Sequence, residues 1–250
     1  MKILEFGDTE KRKLVLIHGF QLPWQIWERY IEHYKNDFHI IVPVISGHDT
    51  GSREDFVSFA EDAKAIENHV SARCVKDIYA VFGMSMGGVL AATLWQNKRL
   101  SFENVIFDGS PLISLNSVFR LYMKKFYTSI THKAQQRDEK TVSQASGTII
   151  PAEYLGEFLK VLDNMSDTTI HNAIDGIAGF RLKSGTGSPA TKLHYFHGTK
   201  PNEALAKKTA GYIKKNFPGA EIHCFNGKAH CEYSLLGPEK MLPELDRILL

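Results

Sequence analysis

Ile78-Tyr79-Ala80-Val81-Phe82-Gly83-Met84-Ser85-Met86-Gly87-Gly88 joins an apolar run with almost no polar face to a serine bracketed by glycines. A run of this kind suits a central parallel strand covered by helices on both sides. The residues from Ser85 to Asn97 have helical period, so the serine stands on a tight strand-to-helix turn. Such a turn strains the serine backbone, and bulky side chains two residues to either side would collide, which accounts for Gly83 and Gly87. Gly88, Ala91 and Ala92 let the helix lie close to the sheet. Taken alone, the pattern is equally a glycine-rich helix start with Ser85 as its N-cap. The strand-turn-helix context favours a presented hydroxyl, facing the free N–H groups and positive dipole end of the helix.

Outward from this turn, β-branched and aromatic runs alternate with helical segments, the pattern of an α/β chain with a mostly parallel sheet. Strands are predicted over 13–18, 39–42, 77–82, 104–108, 192–197 and 220–225. Helices are predicted over 24–35, 55–72, 85–97, 203–216 and 238–249. The alternation stops after Pro111. From there the residues suggest helices, for example over 118–130 and 153–163, and the turn-rich run Lys183 to Pro189 reads as a return linker. The expected organisation is a core of 1–110 and 191–250 carrying a helical insertion at 111–190.

The chain has 250 residues, 43% of them hydrophobic, and 30 Lys and Arg against 28 Asp and Glu give +2. That balance lacks the basic excess of a nucleic-acid or anionic-membrane partner. No apolar run approaches the roughly 18 residues of a membrane helix, and acidic residues interrupt the N-terminus before a signal-peptide core can build. A cytoplasmic protein acting on a small molecule is expected, with its oligomeric state open. Cys74, Cys224 and Cys231 form neither a disulfide framework nor a CxxC pair and read as reduced thiols.

Two further loops fall at the carboxyl edge of the sheet. After Leu14-Val15-Leu16-Ile17 comes His18-Gly19-Phe20, where the Phe20 N–H is placed to stabilise an oxyanion and His18 reads as a structural residue. After the last strand comes Gly227-Lys228-Ala229-His230-Cys231. A histidine there can reach a serine presented on the same edge and take its proton. His194 and His197, in or at the end of a strand, and His132 and His171, in the insertion, read as surface or packing residues.

Together, His18-Gly19, Gly83-x-Ser85-x-Gly87-Gly88 and Gly227-x-x-His230 resemble the α/β-hydrolase family over about 1–110 and 190–250. The insertion falls where that family keeps its variable lid. The resemblance implies the α/β-hydrolase fold, a mostly parallel central sheet flanked by helices with a helical lid insertion. It implies Ser85 as nucleophile, His230 as general base, an oxyanion hole from the N–H groups of Met86 and Phe20, and a carboxylate to orient the histidine. No cofactor and no metal are called for.

The carboxylate departs from the family pattern, because Gly198-Thr199-Lys200 is followed by Pro201 and the acid Glu203 comes two residues later. Glu203 would also suit the first turn of a helix for dipole reasons alone. Asp108 ends an apolar strand at the same sheet edge as Ser85, and some lipases of this fold are similar in drawing their acid from there. Asp108 is the expected acid and Glu203 the second candidate. Ile45 to Ser52 resembles the family's Gly-His-Gly-x-Ser loop with added residues, and His48 and Asp49 are expected to shape the site rim. A metal role for that pair lacks a third ligand nearby.

Trp24 and Trp27 could wall an acyl pocket or pack in the core. Phe119, Leu121, Tyr122, Met123, Phe126 and Tyr127 offer an aromatic face that could close over the site or pack on the core. The leading expectation is a carboxylesterase-like serine hydrolase cleaving a small ester or thioester-like substrate. The alternatives are a lyase or carbon-carbon-bond hydrolase on the same scaffold, or a non-catalytic small-molecule receptor.

Overall fold

The computed structural model describes residues 1–73, 76–186 and 190–250. These form one seven-stranded sheet from β1 (Lys2–Phe6), β2 (Lys13–Ile17), β3 (His39–Val44), β4 (Asp77–Met84), β5 (Ser101–Asp108), β6 (Lys192–Gly198) and β7 (Glu221–Phe225). The spatial order is β1-β3-β2-β4-β5-β6-β7, with β1 antiparallel to β3 and the other pairs parallel. β4, which leads into the serine turn, lies in the middle. It is buried on both faces, with Val81 turned to one apolar layer and Ala80, Phe82 and Met84 to the other.

The helices are α1 (Glu28–Tyr34), α2 (Phe59–Ser71), α3 (Met86–Asn97), α4 (Ser117–Gln135), α5 (Glu139–Ala145), α6 (Leu155–Asn164), α7 (Asp167–Gly179), α8 (Ala204–Asn216), α9 (Glu232–Leu236) and α10 (Pro238–Leu249). Residues of α2, α3 and α8 pack in one layer, among them Ile66, Leu90 and Ile213. Tyr30 and Tyr34 of α1 and Leu245 and Leu249 of α10 pack in the other, with Trp27 between them and Phe82. At about 1.5–3 kcal/mol for each fully buried large side chain, these layers hold the strand ends in place.

All six strands read from the sequence form. β1 escapes that reading because it is short, lies at the sheet edge and carries Glu5. The Glu5 carboxylate is satisfied by His39 of β3 at 2.7 Å, by His69 of α2 at 2.6 Å and by Arg73 just after that helix. The segment expected as one helix over 24–35 is a 3-10 turn at Trp24–Trp27 followed by α1. Trp27 is fully buried, so packing is its use. Cys224 and Cys231 are free thiols, whereas Cys74 lies outside the described residues, as do 187–189 of the expected return linker. Among the described residues no helix is long and apolar enough to cross a membrane.

Between β5 and β6 the described residues carry α4 to α7. Asn116, Asp138 and Ser166 cap α4, α5 and α7 through side-chain oxygens that accept from Phe119, Thr141 and Thr169 N–H. α7 is fastened to the loop after β3, where Phe56 N–H donates to Thr169 Oγ1 at 3.0 Å and Asn172 Nδ2 donates to Phe56 O at 2.9 Å. Leu115 N–H to Ala178 O (2.8 Å) and Leu182 N–H to Leu112 O (2.9 Å) pin the segment's two ends.

Candidate active site

Ser85, between β4 and α3, has φ 51° and ψ −115°. A non-glycine residue in such a region costs on the order of 1–3 kcal/mol, so its surroundings must impose it. A Cβ at position 83 would lie 2.5 Å from Gly88 Cα, and one at position 87 would overlap the Ile17 and His18 carbonyl oxygens. Both glycines are therefore sterically required, as the sequence reading expects. The Ser85 N–H donates to Asp108 O at 2.7 Å, which ties the turn to β5.

His230 stands in the loop between β7 and α9. Its Nε2 lies 2.9 Å from Ser85 Oγ, and its Nδ1 lies 2.5 Å from Glu203 Oε1. A carboxylate only accepts, so Nδ1 carries the ring proton and Nε2 presents a lone pair to the serine hydroxyl. Burial alone would pull the imidazole pKa down, but the Glu203 hydrogen bond and the negative charges of Glu203 and Asp108 outweigh it, and the net shift is upward.

The expectation that Asp108 meets His230 is overturned. Asp108 is at the predicted sheet edge, in register with Met84, but its Oδ2 accepts from Ser234 Oγ of α9 at 2.5 Å. Burial raises its pKa to about 6, the Ser234 bond lowering it and the charge of Glu203 raising it. The carboxylate that reaches His230 is Glu203, the second candidate. It is 1% exposed, and its other oxygen accepts from Gly198 N–H at 2.7 Å. Its oxygens thus serve His230 and Gly198, and it makes no side-chain cap bond to α8. Pro201 opens the 3-10 turn Pro201–Glu203, which folds the chain back so that the sixth residue from Gly198 points inward.

The loop after β2 flanks the serine, since a Cβ on Gly19 would be 3.4 Å from Ser85 Cβ. Phe20 N–H has no hydrogen-bond partner among the described residues, and Met86 N–H is the first of α3. Two buried histidines shape this loop. His18 Nε2 accepts from Ile45 N–H at 3.1 Å, leaving Nδ1–H to donate to Gly19 O at 2.9 Å. His48 Nε2 accepts from Gln21 N–H at 2.9 Å, and Nδ1 faces Ser46 O at 3.2 Å. Burial lowers His18 to about 4 and His48 to about 3, the latter also through the neighbouring His18 ring. Both rings are thus neutral, as these acceptor roles require.

Sequence reasoning missed Ser234, the partner of Asp108, and Thr131, whose Oγ1 accepts from Gln21 Nε2 at 2.6 Å. Neither stands in a motif. Gln21 is held in the left-handed region at φ 64°, which no local pattern announces.

Ser85 and His230 open into a cavity of about 820 Å³, walled by Phe20, Tyr122, Met123, Phe126, Phe158 and Ile174 among others. Tyr127 packs edge-on against Phe20, with ring centroids 5.2 Å apart. Tyr122 and Phe126 remain largely exposed at the cavity.

Comparison with solved structures finds an alpha/beta hydrolase family protein from Desulfitobacterium hafniense at TM-score 0.78 and 18% identity, with both chains fully covered. A carboxylesterase structure from Nitrososphaera gargenis matches at TM-score 0.75 and 15% identity, over 99% of this chain and 93% of that one. MenH from S. aureus matches at TM-score 0.66 and 17% identity, over 98% and 96%. A search of curated proteins finds no match. At these identities the likeness is one of fold, and the family itself is shown by a family model that matches residues 14–231: the chain belongs to the alpha/beta hydrolase family.

Proposed function

We propose that this protein is a serine hydrolase that cleaves a carboxylic ester or thioester through an acyl-serine intermediate. The observation that carries this reading is the chain Glu203–His230–Ser85, at 2.5 and 2.9 Å, ending in an apolar cavity. Ser85 Oγ attacks the acyl carbon while its proton passes to His230 Nε2. The carbonyl oxygen becomes an oxyanion stabilised by the Phe20 N–H of the loop after β2 and the Met86 N–H at the start of α3. Collapse breaks the bond to the leaving group, which takes the proton from Nε2. Water then attacks the acyl-serine with His230 again as base and afterwards as acid, releasing the carboxylic acid and restoring Ser85. Glu203 accepts from Nδ1–H throughout and faces the imidazolium while it exists.

The walls argue for an acyl group of appreciable apolar bulk, with the helices between β5 and β6 acting as a lid. Tyr122 and Phe126 are suited to a test because they line the cavity yet contribute little to the core. The double variant Tyr122→Ala with Phe126→Ala is expected to change the ratio of kcat/KM between short and long p-nitrophenyl esters. Fluorophosphonate labelling of Ser85 should proceed at nearly the wild-type rate. A full-chain preparation that neither takes the label nor forms an acyl-enzyme visible by mass spectrometry would overturn the hydrolase reading. An unchanged ester profile in the double variant would overturn the lid role only.

The raised pKa of His230 sets the pH dependence. Below it the ring is protonated and cannot accept from Ser85, so activity is expected to be lost as pH falls through it. The acid limb of the kcat/KM profile should therefore lie above about 6.5, the ordinary imidazole value. A midpoint well below that value would show that the carboxylates do not govern the ring.

A further inference from the structure

His194 reads from sequence as a packing residue, yet packing does not account for its neighbours. β6 and β7 pair in parallel with His194 opposite Glu221 and Phe196 opposite His223. Side chains alternate along a strand, so positions 221 and 223 project from one face of β7 beside position 194 of β6. Among the described residues, His194, Glu221 and His223 are a group of three whose ligand atoms all lie within 4.8 Å of one another. His194 Nδ1 is 3.4 Å from His223 Nε2 and 3.5 Å from Glu221 Oε2, and the third edge, His223 Nε2 to Glu221 Oε2, is 3.9 Å.

Every edge of this triangle exceeds the 2.7–3.2 Å of a good hydrogen bond. The same lengths suit a different occupant. Around a tetrahedral ion with bonds of about 2.0–2.2 Å, ligand atoms stand about 3.3–3.6 Å apart, and two of the three edges fall in that range while the third, to the exposed Glu221, needs only a small side-chain adjustment. His194 Nε2 is buried without a hydrogen-bond partner, so Nδ1 is the ring's one polar outlet. The His223 ring is stacked on Phe196, with centroids 4.2 Å apart and planes 16° from parallel, which fixes where Nε2 points.

We propose that His194, His223 and Glu221 bind one divalent transition-metal ion of the zinc class, with water in the fourth position. None of the three lines the cavity at Ser85, so the ion is structural. It clamps the start of β7, the edge strand, onto β6. The loop that carries His230 grows from the other end of that strand, so the clamp steadies the base without touching it.

The test uses the full chain, freed of metal with EDTA and titrated with ZnCl2 by calorimetry and by thermal melting. One saturable equivalent and a rise in Tm are expected. Co2+ in its place should give the intense visible bands of a four-coordinate ion. Glu221→Gln and His223→Ala should each weaken zinc binding at least about 100-fold, beyond the loss typical of a group that merely supports a ligand. Both should also abolish the Tm response, while His230→Ala should keep both. Glu221 is exposed, so its variant remains informative if His223→Ala fails to fold. No saturable equivalent in wild type, or undiminished binding in Glu221→Gln, would overturn the proposal. Both results stand apart from hydrolase activity.

Discussion

Ser85→Ala is expected to lower ester turnover by about 10³-fold or more, with the fold retained. The left-handed backbone of the turn is imposed by Gly83, Gly87 and the bond from residue 85 N–H to Asp108 O, and the hydroxyl takes no part in it. Losing Oγ also leaves no buried group stranded, because His230 Nε2 faces the open cavity. Circular dichroism and Tm should match wild type while fluorophosphonate labelling disappears. Turnover comparable with wild type would end the assignment of Ser85 as nucleophile.

The second large effect is expected at Glu203. Its amide replacement turns an NH2 group or a weaker acceptor toward His230 Nδ1. The first choice drives the ring into the tautomer with its proton on Nε2, pointing at Ser85, and that tautomer cannot act as a base. A loss of about 10⁴-fold in kcat is typical of such an exchange. Asp108→Asn should behave differently, since an amide oxygen still accepts from Ser234 Oγ and no bond to His230 is at stake. Its kcat is expected to stay within several-fold of wild type. Steady-state kinetics of the two single variants decide the matter, and an inactive Asp108→Asn beside an active Glu203→Gln would reverse the assignment.

Strand placement favours Asp108 because it identifies which residues reach the sheet edge, and Asp108 does reach it. Strand placement does not tell which way a side chain at the end of a strand turns, and Ser234, which captures this one, stands in no motif. In the sequence Glu203 ranks second because Pro201 breaks the family's spacing and because a glutamate at a helix start has an ordinary electrostatic use. The proline begins the turn that brings the carboxylate inward, so Pro followed by an acid just ahead of a helix is the signal that marks Glu203. The strands around Ser85 and the position of His230 were legible because continuous apolar runs and sterically obligatory glycines leave few alternatives. β1 was not, because its stability comes from pairing with β3 and from partners of Glu5 that are distant in sequence.

Asp108 has a further consequence as a mechanical datum. Its carbonyl receives the Ser85 N–H at 2.7 Å and lies 3.5 Å from Cys231 Sγ, and its carboxylate receives Ser234 Oγ. Residues 85 and 230 are 145 positions apart in the chain, yet the turn bearing one and the helix following the other are referenced to a single residue. A shift of β5 would carry both attachments in the same direction. A displacement of that kind would be common to Ser85 and His230 and would largely cancel in the 2.9 Å gap between them, much as two instruments bolted to one bench keep their alignment when the bench moves.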